Sequence, residues 1–352
     1  MCTTPSENIF PACFVEFPTD VEGRSAAFFL AAEEFMAREM PENNYVFFWQ
    51  LDPTVVFGRN QDPAAELNLD FCRQHGIELV RRKSGGGTIF ADRDNIMTSL
   101  VTGRGAVETV FGAFAHSVAD GLRRLGAPTK VSGRNDICLE DGRKICGNAF
   151  YRLPQRNIVH CTMLYDTNME LMTGSLTPPA AKLESKGVKS VRSRIGLLKE
   201  VLPFGVDELR RSLRLILTNR SLRLTEAQMQ RIEELERPYH APDYVMGRKA
   251  DHSAHHYAAR IEGCGRIDIR LSTHDGLITD VRLSGDYFET SNLSAEEALR
   301  NALRGQPLRR EAILQALRQH HPERTIRGLS LEALEKLMDT ENKQPNYLYS
   351  DE

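Results

Sequence analysis

Arg81-Arg82-Lys83-Ser84-Gly85-Gly86-Gly87-Thr88 sets three successive glycines beside a run of cations. Glycine lets the backbone take φ > 0 and approach a ligand closely, so free N–H groups and flanking arginines suit phosphate or carboxylate oxygens. The same residues also fit a tight turn between strands. The spacing is neither GxxxxGK[ST] nor GxGxxG, which excludes a standard phosphate loop and a dinucleotide fingerprint. Two further polar groups follow, Gly133-Arg134-Asn135-Asp136 and Gly142-Arg143-Lys144-Ile145-Cys146-Gly147-Asn148-Ala149. If Asp136 and Lys144 sit on paired strands, they face one ligand, the carboxylate engaging Mg²⁺ and the ammonium reaching an anion. Lys144 as a solvated strand residue is the other reading.

The elements that must hold these residues are legible in outline. Phe28, Phe29, Ala32, Phe35 and Met36 recur at helical spacing within 25–37, and Tyr45–Leu51 and Thr54–Phe57 read as strands divided by Asp52-Pro53. Ile77–Val80 feeds the glycine segment. Phe111, Phe114, Val118, Leu122 and Leu125 mark a helix after residue 105. Asp136–Leu139 and Arg143–Phe150 form a hairpin turned by Glu140-Asp141-Gly142, with Ile158–Tyr165 as the next strand. Helices at 207–217 and 226–237 precede Pro238–Tyr257, whose irregular, His- and Pro-containing composition marks a boundary. Alternating Ile267, Ile269 and Leu271, the turn Asp275-Gly276 and alternating Leu277 to Leu283 make a hairpin. Ser294 with Glu297 caps a helix, and helices at 308–318 and 330–339 follow. The expected class is α+β: a mixed sheet with packed helices over 1–245, a linker at 246–257 and a small α+β accessory domain at 258–352.

With 352 residues, 41% hydrophobic and 26% charged, the chain divides more naturally into two domains than one. A formal charge of −3 gives no general electropositive field, so nucleic acid is not the expected partner. Seven cysteines at irregular spacing, without CxxC, read as reduced thiols rather than a zinc site. Residues 1–20 lack a basic region followed by an apolar run, and no stretch approaches 18 apolar residues, so a soluble cytoplasmic protein without membrane contact is expected.

Taken together, GRNQDP (58–63), RRKSGGGTIFADRDN (81–95), SGRNDICLEDGRKICGNAFYR (132–152), VHCTMLYDTN (159–168) and KLESKGVKSVRSRIGLL (182–198) resemble the lipoate–protein ligase family. The resemblance runs in order from about residue 20 to 245, and the tail resembles that family's small C-terminal domain. It implies the biotin/lipoyl protein ligase fold and an ATP-dependent enzyme that converts free lipoic acid to lipoyl-AMP and then acylates a lysine of a carrier. The implied carriers are lipoyl domains of 2-oxoacid dehydrogenase E2 subunits or the glycine-cleavage H protein. By this resemblance Arg82, Ser84, Gly85, Gly86, Gly87 and His160 hold the acid or its adenylate, with Thr162 in the same HxT strand. Asn135, Asp136 and Lys186 serve the nucleotide, Asp136 also the Mg²⁺, and Lys144 is the central catalytic residue, contacting carboxylate and phosphate as charge develops.

Related transferases instead carry the acyl group as a cysteine thioester. Their cysteine lies just before the strand corresponding to Asp136–Leu139, where this chain has Thr129-Lys130-Val131-Ser132. Cys138, Cys146 and Cys161 lie nearby but alternate with apolar residues, as buried small side chains do. A cysteine-dependent transferase and a non-catalytic carrier-binding protein are the competing readings. The cationic run Lys182–Lys199 is either a solvated face or an aid to meeting an acidic carrier. The chain departs from the family pattern at Ala91-Asp92, Asp94-Asn95, Cys146 and Arg152, which bears on acyl-chain and carrier choice.

Overall fold

The computed structural model describes residues 12–103, 107–132, 136–176, 194–247, 255–290 and 293–340. Asn135, Lys186 and most of the expected linker, 248–254, lie outside the described residues. Two compact units are present: residues 1–57, 63–84 and 88–245 form the first, and 58–62, 85–87 and 246–352 the second.

The first unit runs β1 (Ala12–Glu16), α1 (Ala26–Glu39), β2 (Tyr45–Trp49), β3 (Thr54–Phe57), α2 (Pro63–Glu66), α3 (Leu69–Gln74), β4 (Glu78–Arg81), β5 (Ile89–Ala91), β6 (Asn95–Thr102) and α4 (Val107–Arg124). It continues with β7 (Thr129–Ser132), β8 (Asp136–Leu139), β9 (Lys144–Arg152), β10 (Asn157–Leu164), α5 (Met169–Ser175), α6 (Val206–Leu217), β11 (Thr218–Arg223), α7 (Glu226–Glu236) and α8 (Pro242–Met246), the last ending across the boundary. Eight strands form one sheet in the order β11-β1-β2-β6-β10-β9-β8-β7, and β4-β3-β5 form a small second sheet. β1 pairs in parallel with β11 and β2, whereas the strands from β2 through β6, β10, β9 and β8 to β7 pair antiparallel.

Every residue of β2 and β6 is buried, because helices cover the sheet. That burial erases polar alternation in β6 (NIMTSLVT), which the sequence reading did not identify as a strand. The edge strand β11 (TNRSLR) and β7 (TKVS) carry too few apolar residues to be legible, and β1 and β5, though apolar, are only five and three residues long. The β8–β9 hairpin closes as expected, Leu139 N–H donating to Arg143 O at 2.9 Å and Gly142 taking φ +90°.

Helix α1 starts at Ser25, whose hydroxyl accepts from Ala27 N–H, and is buried from Ala26 to Ala37. A helix buried so fully carries carboxylates only where something neutralises them, yet Glu33 and Glu34 are each 3% exposed.

The second unit contains β12 (His255–Ile261), β13 (Gly265–His274), β14 (Leu277–Gly285), α9 (Ala295–Leu303), α10 (Arg310–His320) and α11 (Leu331–Met338). Its three strands form an antiparallel sheet in sequence order, and Ile267, Ile269, Leu271, Leu299, Leu303 and Leu317 lie in its core. β12 begins within the segment read as irregular; the alternation there is too weak to show it.

Candidate active site

Strand register lines up one face of the large sheet. Asp136 of β8 pairs with Gly147 of β9, Gly147 with Thr162 of β10, Thr162 with Met97 of β6, and Met97 with Trp49 of β2. Two residues along the strands, Ala149, His160, Ser99 and Phe47 make a second row. Residues two apart share a face, and contacts from Ser99 and His160 to Glu33 show that this face meets α1.

A buried polar chain crosses that face. The indole N–H of Trp49 donates to Ser99 Oγ at 2.9 Å, and the Ser99 hydroxyl donates to the Glu33 carboxylate. His160 Nδ1 lies 3.2 and 3.3 Å from the two Glu33 oxygens, and its Nε2 lies 2.9 Å from Ser84 Oγ. Arg82 Nε donates to Ser84 Oγ at 3.0 Å and its Nη1 to Val56 O at 3.1 Å. With the imidazole neutral, Nδ1–H donates to Glu33, so Nε2 accepts the Ser84 hydroxyl proton. Burial pushes the Arg82 guanidinium down to about 10, opposed by the charges of Glu33 and Tyr244, so it remains a cation at neutral pH.

The neighbouring cations are committed in the same way. Lys83 pairs with Glu34, which also accepts the Tyr239 hydroxyl at 2.6 Å, and the Lys83 ammonium lies 4.7 Å from the Tyr239 ring centre. Arg81 stacks on Phe57 at 4.7 Å and donates Nε–H to Val245 O at 3.0 Å. The consecutive Arg82 and Lys83 therefore answer the consecutive Glu33 and Glu34. Gly85–Gly87 are grouped with the second unit, where Gly86 has φ +91° and its N–H donates to Tyr287 O at 3.3 Å. A Cβ on Gly85 would lie 2.4 Å from the same oxygen. Positive φ and close approach are thus real needs at this triplet, and the partner in the structure is protein backbone.

Lys144 and Asp136 are brought together as their strand pairing requires. Lys144 Nζ stands 2.7 Å from Asp136 Oδ1, an ionic approach off the hydrogen-bond direction, so that oxygen has no hydrogen-bond partner. Both side chains keep about a third of their surface open, 39% and 32%. The Lys144 backbone is clamped by Ile195, its N–H donating to Arg194 O and its carbonyl accepting from Gly196 N–H, each at 2.8 Å. Asp136 is one carboxylate rather than a full metal cage, and no group of three or more metal-binding side chains occurs among the described residues. A lone carboxylate whose side chain is about a third exposed suits Mg²⁺ carried largely by phosphate oxygens.

Cys138, Cys146 and Cys161 are buried, at 6%, 0% and 1% exposure. The Cys146 thiol is raised by its contact with Cys161 and by burial, and the Cys138 thiol by burial and Asp136. A nucleophilic cysteine has the opposite surroundings. Asp92, beside Ala91, is a structural hub: Oδ1 accepts from Asp94 N–H and Asn95 Nδ2, and Oδ2 from Thr167 Oγ1 and Asn168 N–H.

Glu33, Trp49 and Ser99 were not singled out from the sequence. The Glu33-Glu34 pair within an otherwise apolar helix is a signal for Glu33; Trp49 and Ser99 carry none.

A large mixed sheet under helices thus carries the lysine–carboxylate pair at one end, and comparison with known proteins gives the class of this catalytic domain. Residues 25–216 match the lipoyl protein ligase A/B catalytic domain, and residues 252–338 match the bacterial lipoate protein ligase C-terminus. The lipoate-protein ligase LplJ of Bacillus subtilis is 32% identical over 300 residues, covering 82% of this chain and 89% of the relative. Plasmodium falciparum LipL1, solved in complex with lipoate, superposes with a TM-score of 0.72 at 16% identity, over 93% of this chain and 98% of that one. The bipartite lipoate protein ligase of Thermoplasma acidophilum, described with its E2 lipoyl domain, gives 0.62 at 24% identity over 69% and 99%. A lipoate-protein ligase A bound with ATP gives 0.56 at 22% identity over 68% and 98%. The chain belongs to the lipoate–protein ligase family and is a ligase. No helix among the described residues is long and apolar enough to cross a membrane.

Proposed function

We propose that the protein activates free lipoate with ATP to lipoyl-AMP, releasing pyrophosphate, and then transfers the lipoyl group to a carrier lysine. Family membership supports the lipoate ligation; the observation supporting the two steps is the half-open Lys144–Asp136 pair on the face that also carries His160 and Thr162. A carboxylate is a poor electrophile, and a mixed anhydride with AMP gives it a good leaving group, so no protein nucleophile is needed. Lys144 sets its charge against the acid's carboxylate and the α-phosphate, where negative charge is greatest as the acyl–phosphate bond forms. Asp136 takes the magnesium side, and the metal supplies charge neutralisation to the triphosphate. In the second step the carrier's amine attacks the acyl carbon and AMP departs.

Arg82, Ser84, His160 and Glu33 act as one frame. Their donors and acceptors are matched to each other, so the wall they form is fixed before the acid enters, and Ser84 and His160 present it. Gly85–Gly87 belong to the acid- or adenylate-holding segment, and Asn135 and Lys186 to the nucleotide side. The carriers are lipoyl domains of E2 subunits, a reading supported by the T. acidophilum ligase described with one, and the H protein by the same acyl chemistry. Thioester transfer through cysteine is not favoured, since the three cysteines of β8, β9 and β10 are buried and two have raised thiols.

The test is pyrophosphate release from ATP and Mg²⁺ without any carrier, with lipoate, octanoate and biotin supplied separately to the native enzyme and Lys144→Ala. Lipoate-dependent release lost in the variant, with the thermal transition kept, is expected. Release undiminished by the substitution would remove Lys144 from the mechanism.

A further inference from the structure

The glycine opposite Asp136 needs no unusual backbone, since Gly147 has no left-handed φ, and it lies mid-strand, where glycine weakens a sheet. Its use is steric. A Cβ at position 147 would lie 3.0 Å from both Cε and Nζ of Lys144, so the lysine head folds across the bare Cα to reach Asp136 Oδ1. The lysine backbone cannot yield, because it is hydrogen-bonded on both sides to 194–196. There a Cβ on Gly196 would itself lie 2.8 Å from Leu139 and 2.9 Å from Ile145. Only the flexible end of the side chain is free to move. A methyl group at 147 therefore costs little stability and displaces the ammonium.

We infer that Gly147 is a positioning residue for Lys144: its missing side chain sets where the ammonium stands, and with that the rate of the acyl–phosphate step. This rests on the role proposed for Lys144. A Cβ 3.0 Å away obliges the end of the lysine to give by a few tenths of an ångström; since about one ångström of misplacement of a reacting charge costs on the order of a hundredfold in rate, a severalfold loss follows.

Gly147→Ala is compared with native enzyme, Lys144→Ala and Gly112→Ala, the last in α4 where an added Cβ meets nothing within 4 Å. Three quantities are read: kcat and KM for lipoate-dependent pyrophosphate release, the thermal midpoint, and the rate at which acetic anhydride labels Lys144 in the absence of substrate. Gly147→Ala is expected to lower kcat severalfold, roughly three- to tenfold, with KM for lipoate unchanged and the midpoint not lowered. Lys144 should label faster, its contact with Asp136 loosened, while Gly112→Ala keeps native kcat and labelling, with a midpoint at or slightly above native because alanine favours a helix interior. Native kcat and labelling in Gly147→Ala, with Lys144→Ala inactive, would overturn the inference and leave the lysine's role standing. A fully active Lys144→Ala would remove both. A collapsed midpoint in Gly147→Ala also overturns it, since the methyl would then be meeting rigid structure rather than the lysine's flexible end.

Discussion

Removing Arg82 tests whether the cationic run serves first as a counter-charge inside the protein. Arg82 is 4% exposed and Glu33 is 3% exposed, joined through Ser84 and His160. The fall of the guanidinium from 12.5 to about 10 means that, even with Glu33 near, burial disfavours the cation by roughly 3 kcal/mol. Arg82→Met leaves the Glu33 carboxylate buried without that charge and strips donors from Ser84 Oγ and Val56 O. Loss of one partner of a buried ionic set typically costs about 3–5 kcal/mol. Glu33→Gln keeps the volume and an acceptor for His160 but removes the compensation, and should cost a similar amount. Because both changes act on one charge balance, the double variant should lose less than the sum by roughly 1–3 kcal/mol. Trp49 is the sole tryptophan, and its indole joins the same chain through Ser99. Urea titration followed by its fluorescence therefore reads the first unit at this network. Strictly additive losses, or an Arg82→Met midpoint equal to native, would refute the coupling and free Arg82 to be read as a ligand-facing cation.

Replacing Cys138, Cys146 and Cys161 together by Ala should preserve lipoate-dependent pyrophosphate release per folded molecule, with a loss of stability of a few kcal/mol, about 1 per buried thiol as small apolar volume; abolished turnover in a folded variant would restore the thioester mechanism. In the second unit burial opposes ionisation of Asp268, but His256, Arg270 and Arg266 outweigh it and hold the carboxyl below its ordinary 3.8. A depressed carboxyl contributes stability that is present above its unfolded value and lost as the pH falls through the folded one. Asp268→Asn should therefore flatten the loss of stability below pH 3.8, measured by urea midpoints across pH, and an unchanged acid limb would show that other carboxylates govern it. Thr225→Ala removes the capping box of α7 with Gln228 and should cost about 1 kcal/mol without altering kcat; a fall in kcat would tie α7 to the site.

Much of this arrangement was readable because strong local signals coincide with the chemistry. The Glu140-Asp141-Gly142 turn fixed the β8–β9 pairing, and that pairing alone brings Asp136 to Lys144. The apolar spacing in 25–37 gave α1, and Leu209, Leu213 and Leu217 show why 207–217 was visible. What escaped reading depends on tertiary contact. Nothing local to Ser99 or His160 reveals that both meet the Glu33 carboxylate, nor does anything local to Trp49 reveal its bond to Ser99. Arg81, Arg82 and Lys83 look alike in sequence, yet one stacks on Phe57, one is buried beside Ser84 and one answers Glu34. Strand β6 is buried on both faces and so lacks the period of two, and β11 is an exposed edge lacking apolar content. The sequence also gives no reason to group Gly85–Gly87 with 246–352 rather than with the strand that precedes them.

The most direct measurement is the intact mass of an apo lipoyl domain incubated with the native enzyme and free lipoate, with and without ATP and Mg²⁺, alongside an arm offering an octanoylated carrier as the only acyl source. A mass increase of one lipoyl group that requires ATP, with pyrophosphate released beforehand and no acyl exchange from the octanoylated carrier, is the predicted result. An ATP-independent shift of the octanoyl group between carriers, or a tight complex without any mass change, would contradict ligation through an adenylate.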